Sequence, residues 1–293
     1  MSKEESISES TLFVDGAARF KDLIYIVARD RGLQDEAVEH ARFIGFHQTL
    51  FGHIGDRNWS GIAVCVAKKP EEKMVSVGED GEVLTYVGGT VTEEQIIPEP
   101  LALRNLGVID GLAYACGMDR QVFRRDDENS WTAMHAPGSD SETGFEAIDG
   151  FSAAEVYAVG WNGEIFQWDG NDWINHNGAT NVILTGVCCS GDGTVYVCGQ
   201  QGTVLTGRGD TWQLLDLEPM VEDFWDVHWF NGKLYLATVF SLWTLEDGVL
   251  TQVDFGDDAP SSCYRLSSAE DTLWSVGADD VFCFDGTEWV RID

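Results

Sequence analysis

Positive charge is scarce in this chain. Eighteen lysines and arginines stand against fifty aspartates and glutamates, a formal charge of −32 over 293 residues. Such a chain repels DNA, RNA and anionic membranes and draws in cationic partners at rates that fall with salt. Nucleic acid and membrane surfaces are therefore not expected as partners. Long apolar runs are missing as well: none approaches the ~18 residues of a membrane span. The opening MSKEESISES is polar and acidic, unlike a signal peptide, so a cytoplasmic location is expected and the sequon Asn58-Trp59-Ser60 carries no weight.

The seven cysteines are odd in number and never spaced as CxxC. Several sit in apolar runs ("AVCVA", "YACG", "VYVCG", "VFCF"), where a free thiol packs as a small hydrophobe. That usage speaks against a disulfide framework or a zinc site and for a reducing compartment. Phosphate-binding glycine loops, GxSxG, HExxH and EF-hand loops are all lacking. The turn "SGDGT" (Ser190–Thr194) has too few carboxylates for a calcium loop. His40, His47 and His53 lack the i,i+4 spacing of a metal-binding helix face and read as surface or capping residues. Cys188 and Cys189, adjacent on a strand, point to opposite faces and cannot share an ion. His228, in "FWDVHWF", reads as a satisfied channel histidine and not as a general base. No metal, cofactor or catalytic residue is expected.

What the chain does contain is a repeat. "EVYAVGWNGEIFQWDGNDW" (155–173) and "TVYVCGQQGTVLTGRGDTW" (194–212) share one order of residues. With the glycine of "VG" as marker, copies fall at Gly78, Gly117, Gly160, Gly199, Thr238 (in place of Gly) and Gly277, a period of about 40 residues. Each unit reads as four short strands; in the third these are Phe145–Phe151, Glu155–Val159, Glu164–Trp168 and Trp173–His176. The marker glycine supplies either a positive φ or close backbone packing at the end of the second strand. "DG" in "WDGNDW" and "FDGTEW" signals a tight hairpin between the third and fourth strands. Four-stranded units at this period bury both sheet faces by packing radially, as a β-propeller does. The fold class is all-β, with six blades expected over residues 61–293. Residues 1–60 do not repeat; Leu33, Ala37, Ala41 and Ile44 have partly helical spacing, so an acidic tail and a partly helical N-terminal extension are expected there. A seventh, degenerate blade built partly from this segment is the structural alternative.

The units from Gly61 to Asp293 resemble the "vyaVG..G.i...dG..W" repeats of bacterial β-propellers of the broad YVTN/BNR-like group, which includes photosystem II assembly factor-like proteins. The likeness is best around Gly160, Gly199 and Gly277. It departs from WD40 repeats, since no Gly-His pair precedes Trp168-Asp169. The resemblance implies a fold; this architecture carries enzymes, lectins and scaffolds alike. A sialidase-like site would need an arginine cluster, yet Arg104 and Arg265 are the only arginines near blade entrances.

Function is expected where the repeat varies. When the inner strands are aligned on Leu106, Ile148, Val187, Val227 and Leu266, the column two residues earlier reads Arg104, Glu146, Thr185, Trp225 and Tyr264. The turns after the markers supply Glu79-Asp80, Met118-Asp119, Trp161-Asn162, Gln200-Gln201, Val239-Phe240 and Ala278-Asp279, with Asp280 following. The candidate partner-binding set is Glu79, Asp80, Arg104, Met118, Asp119, Glu146, Trp161, Trp225, Phe240, Tyr264, Asp279 and Asp280. Aromatic anchors ringed by carboxylates suit a cationic protein partner. The same aromatics equally suit packing within the propeller's end.

The expectation is a non-enzymatic, acidic protein-binding propeller, monomeric when free. Its most specific form is an immunity or antitoxin-like inhibitor that occludes a basic toxin or nuclease domain by fast electrostatic capture. The alternatives are a carbohydrate- or small-molecule-binding propeller (a lyase or hydrolase among them), with Trp161, Trp225 and Tyr264 stacking on rings, and an assembly-factor scaffold.

Overall fold

Alternation of β-branched and aromatic residues, broken by Gly, Asn and Asp, makes each repeat a meander of four antiparallel strands joined in chain order. The computed structural model describes residues 7–138, 142–176, 179–217 and 220–293. Its sheets are seven, and their first strands touch one another in sequence around a closed ring. These inner strands are Thr11–Phe20, Gly61–Ala67, Leu103–Ile109, Phe145–Ser152, Leu184–Cys189, Asp226–Phe230 and Arg265–Ala269. In the third repeat the other strands lie at Glu155–Gly160, Ile165–Trp168 and Trp173–His176, within a residue of the sequence reading. The hairpin at Asp169-Gly170 is closed by Asp169, whose carboxylate accepts from the Asn171 and Asp172 amides.

The expected count of six blades is corrected to seven, and the seven-bladed alternative holds. Residues Thr11–Arg57 form a complete sheet of four strands, and the only helix longer than a single 3-10 turn among the described residues is Arg31–Asp35. The helical spacing was a coincidence of register. Leu33 and Ala37 are exposed in the ten-residue connection Arg31–His40, while Ala41 and Ile44 are buried in the strand Ala41–His47. That long connection, and Asp30 where other repeats carry the marker glycine, hide the blade from a search at fixed period. His40 is buried within it, accepting from the Asp30 amide at 2.7 Å, so it is a structural residue of the turn.

Each pair of neighbouring blades encloses its own apolar cluster. The cluster between the last and first blades joins Phe13, Ile24, Ile26, Ile44 and Phe46 to Trp274, Val276 and Val281. Among the described residues no strand is exchanged across that seam: the first blade is made of strands within Thr11–Arg57 and the seventh of strands within Arg265–Arg291. It is fastened by burial, by the Phe13 amide donating to the Ala278 carbonyl at 3.0 Å, and by an ion pair between Arg31 and Asp279. The marker glycine is explained by close approach. A Cβ on Gly160 would lie 2.0 Å from the Gly144 carbonyl oxygen, and one on Gly277 2.2 Å from that of Ser262, because the second strand ends against the loop that enters its own blade.

Inner strands carry a row of backbone N–H groups that the next strand does not pair. Three carboxylates answer this across blade boundaries. Asp15 accepts from Val64 N at 2.8 Å, Asp149 from Cys189 N at 2.7 Å and Asp226 from Leu266 N at 2.8 Å. Each also accepts from the amide that follows it, of Gly16, Gly150 and Val227. Enclosure by protein raises all three carboxyls, Asp15 and Asp149 to about 6, against the pull of these N–H groups and, for Asp15 and Asp226, of Arg265.

Two outcomes follow from this frame. Trp274→Ala, at the seam, should cost about 3–5 kcal/mol in a denaturant titration, since Trp274 is fully buried against Phe46. For Asp149 the folded pKa lies above the unfolded one, so between pH 4 and 6 the folded state binds the extra proton and wild type loses stability as pH rises. Asp149→Asn removes that titration. The stability of the variant relative to wild type should therefore climb from pH 4 to pH 7, and a difference that stays flat in paired urea titrations contradicts the assignment.

Candidate functional site at one rim of the channel

Inner strands all start at the same end of the ring, and the turns between second and third strands open on that end too. Backbone bonds tie these turns to the incoming loops: Glu79 N to Ser60 O, Met118 N to Ala102 O, Asp119 N to Thr143 O and Trp161 N to Gly144 O. The candidate residues thus share one face on a stiff frame.

The channel mouth holds two groups of them. In the first, Glu146 accepts from the Trp161 indole N–H at 2.6 Å, and its carboxylate lies 3.8 Å from Arg104 Nε. In the second, the rings of Trp225 and Tyr264 are 5.2 Å apart, and the Arg265 guanidinium lies 4.7 Å from the Tyr264 ring centre. Charge links the two groups. Burial opposes the charge on Arg265, and the fields of Tyr264, Asp15, Asp226 and Glu146 outweigh it, holding the guanidinium protonated. Burial likewise raises the Tyr264 hydroxyl, with Glu146 adding to the effect.

The remaining candidates divide by exposure. Phe240 is 73% exposed at the tip of its turn, and Asp80 is exposed beside the half-buried Glu79. Met118 and Asp119 are half-buried in the turn of the third blade, with Asp119 at φ 58°. Asp279 is tied to Arg31 of the first blade. Asp280 is buried and serves the fold: it accepts from Ser261 N at 2.7 Å and Ser262 N at 2.9 Å and pairs with Arg291. Burial alone would raise its carboxyl; the bonds from Ser261, Arg291 and the two amides hold it below the usual range. Thr185 also turns inward, donating to the Phe224 carbonyl.

Sequence reading passed over several acidic residues on this face. Asp35, Glu36 and Glu39 belong to the corresponding turn of the first blade, and Glu222, Asp254, Asp257 and Asp258 to loops entering the sixth and seventh blades; all are exposed. The signal was there in the long acidic connections between repeats, such as "VDFGDD". His228 lines the channel, bonded to Ser268 Oγ at 2.8 Å and lowered by burial to about 4. In "SGDGT", Asp192 is occupied by Ser190, Thr194 and Tyr196. Among the described residues no group of three or more His, Cys, Asp or Glu is placed to hold a metal ion, and none of the seven cysteines is bridged. Among them, too, no helix is long and apolar enough to cross a membrane.

Solved structures share the architecture at low identity. A catalytically inactive virginiamycin B lyase from Staphylococcus aureus with quinupristin aligns at a TM-score of 0.75 with 10% identity, covering 94% of this chain and 95% of that one. The WD40 β-propeller domain of Doa1 aligns at 0.73 with 15% identity over 96% and 94%. YCF48 bound to D1 peptide aligns at 0.69 with 16% identity over 94% and 91%. These likenesses establish the fold, and the resemblance to YVTN/BNR-like propellers holds. No family model matches the chain. Immune protein Tsi7 of Pseudomonas aeruginosa is 41% identical over 295 residues, 96% of this chain and 96% of its own length. With that identity maintained around the whole ring, the chain belongs to the family of immune protein Tsi7.

Proposed function

We propose that this immunity protein neutralises its toxin by gripping a basic surface of it on the rim just described, without chemistry of its own. Membership of an immunity family implies a toxin as partner; the cationic character of that toxin and its place on the rim are the reading offered here. The observation that carries it is the combination at the channel mouth of an aromatic pair, Trp225 and Tyr264, with a carboxylate, Glu146, already oriented by Trp161. Pre-oriented anchors lose little freedom on binding, and the surrounding carboxylates steer a basic partner in. Asp80, Glu222, Asp257 and Asp258 are exposed on the same face and extend the negative surface outward. A basic nuclease domain fits this chemistry, because the inhibitor then presents carboxylates where a phosphate backbone would lie. The free protein acts in the cytoplasm as a monomer.

The test begins with capture of the toxin from the native cell on the immobilised protein, followed by binding measurements on the reconstituted pair. Trp225→Ala should weaken binding by about 30-fold or more, the loss expected of a central aromatic anchor. Glu146→Gln should lower the association rate by about threefold, and this effect should shrink as salt rises. Capture of a toxin with no basic surface, salt-insensitive binding, or protection from hydrogen exchange confined to the opposite face would overturn the proposal.

A further inference from the structure

The channel itself forms a cavity of about 800 Å³, within the size range of small-molecule sites. Its lining runs from Arg265, Asp226 and Asn105, near the starts of the inner strands, to Phe20, Lys68 and Trp229 at the hairpins on the opposite face. The rim residues Arg104, Glu146, Trp225 and Tyr264 are not part of it. The cavity is thus reached from the face that the toxin-binding reading leaves free.

Arg265 sits at its inner end in an unusual state for so acidic a chain. Among the described residues no carboxylate oxygen lies within 4.0 Å of it, whereas fourteen other arginine and lysine residues have ion-pair partners. Its one hydrogen bond is long, from Nη1 to the Trp225 carbonyl at 3.3 Å. The guanidinium carbon lies over the Tyr264 ring, 4.7 Å from its centre, a cation–π contact that restrains it. The carboxylates that share the channel are engaged elsewhere: Asp15, Asp149 and Asp226 each accept from two backbone amides, and Glu270, at the opposite end, accepts from the Lys21 amide. A fixed guanidinium with open donors is built for a planar, two-oxygen anion.

We propose that the channel is a binding site for a free carboxylate, gripped by Arg265 and entering from the face opposite the toxin-binding rim. The carboxylate belongs to a small organic acid or to the C-terminus of an extended peptide; both present the same planar group to the guanidinium. The charges of Asp15, Asp149, Asp226 and Glu270 oppose an anion, which sets the affinity in the modest range. This inference does not depend on the rim reading.

Calorimetric titration of the free protein tests it with four probes: N-acetylglycine and its amide, and a tetrapeptide with a free C-terminus and its amide. Each acid should bind at least about tenfold more tightly than its amide, the difference expected of a charge-assisted bidentate contact. A tighter peptide acid assigns the site to peptide termini, and a tighter N-acetylglycine to small acids. Arg265→Gln should abolish the preference for acid over amide. Should that variant fail to fold by its melting curve, Arg265→Lys decides, since it keeps the charge, loses the fork and should weaken the acid severalfold. Acid and amide binding alike, an acid preference that survives Arg265→Gln, or no heat from any probe up to about 20 mM, the weakest affinity expected for ligands of this size, would each overturn the proposal.

Discussion

Everything in this molecule depends on the mutual covering of sheet faces. A meander of four short strands has two apolar faces and too little chain to bury either alone. Seven of them placed around an axis bury both faces of every sheet, and the seven clusters between blades are the outcome. What burial leaves unsolved is the polar edge of the inner strands. Asp15, Asp149 and Asp226 solve it at three boundaries, each reaching an amide of the following blade. The same side chains put negative charge into the channel, and two of them, Asp15 and Asp226, act with Tyr264 and Glu146 on Arg265.

Stiffness of this kind is what a recognition surface requires. Glu146 and Trp161 are held by a frame whose every turn is bonded to a neighbouring loop, so their mutual geometry exists before any partner arrives. Negative charge does a separate job. It is spread over many exposed loop residues and acts at a distance, and under the proposed function it would govern how fast a basic surface is found. Affinity from a few central anchors and speed from a diffuse field are separable properties, and the proposed function assigns both to this face, with Glu146 sharing in each.

Much of the fold was legible because glycine and aromatic punctuation recur where backbone contacts recur. Gly117, Gly160, Gly199 and Gly277 mark the place where a Cβ would strike a carbonyl, while at Gly78 it would strike the Glu82 and Trp59 side chains, so the marker has a steric cause in each blade that keeps it. The first blade escaped because its sharp turn is replaced by the connection Arg31–His40, which shifts the period and mixes exposed and buried residues into a false helical pattern. At the site, the column Arg104, Glu146, Trp225 and Tyr264 could be read from register alone, since strand position determines which residues face the mouth. Burial could not. Asp280 and Thr185 occupy variable positions yet turn inward, because the loops of Ser261–Ser262 and Phe224 present backbone groups that only the folded ring brings to them. Pairing at the mouth, as in Trp161 with Glu146, joins the inner strand of a blade to the turn after its second strand and leaves no trace in spacing.

The seam between the outer blades has a consequence for biogenesis. Since no strand is exchanged there among the described residues, Phe13, Ile24 and Phe46 are synthesised five intervening blades ahead of their partner surface, Trp274 and Val276, and find it only when the seventh blade emerges from the ribosome. Contacts of such sequence separation form late. A nascent chain of this protein therefore carries an uncovered apolar flank while all the intervening blades are made, and a chain halted before the seventh blade keeps it, which makes incomplete rings natural clients for chaperones and proteases.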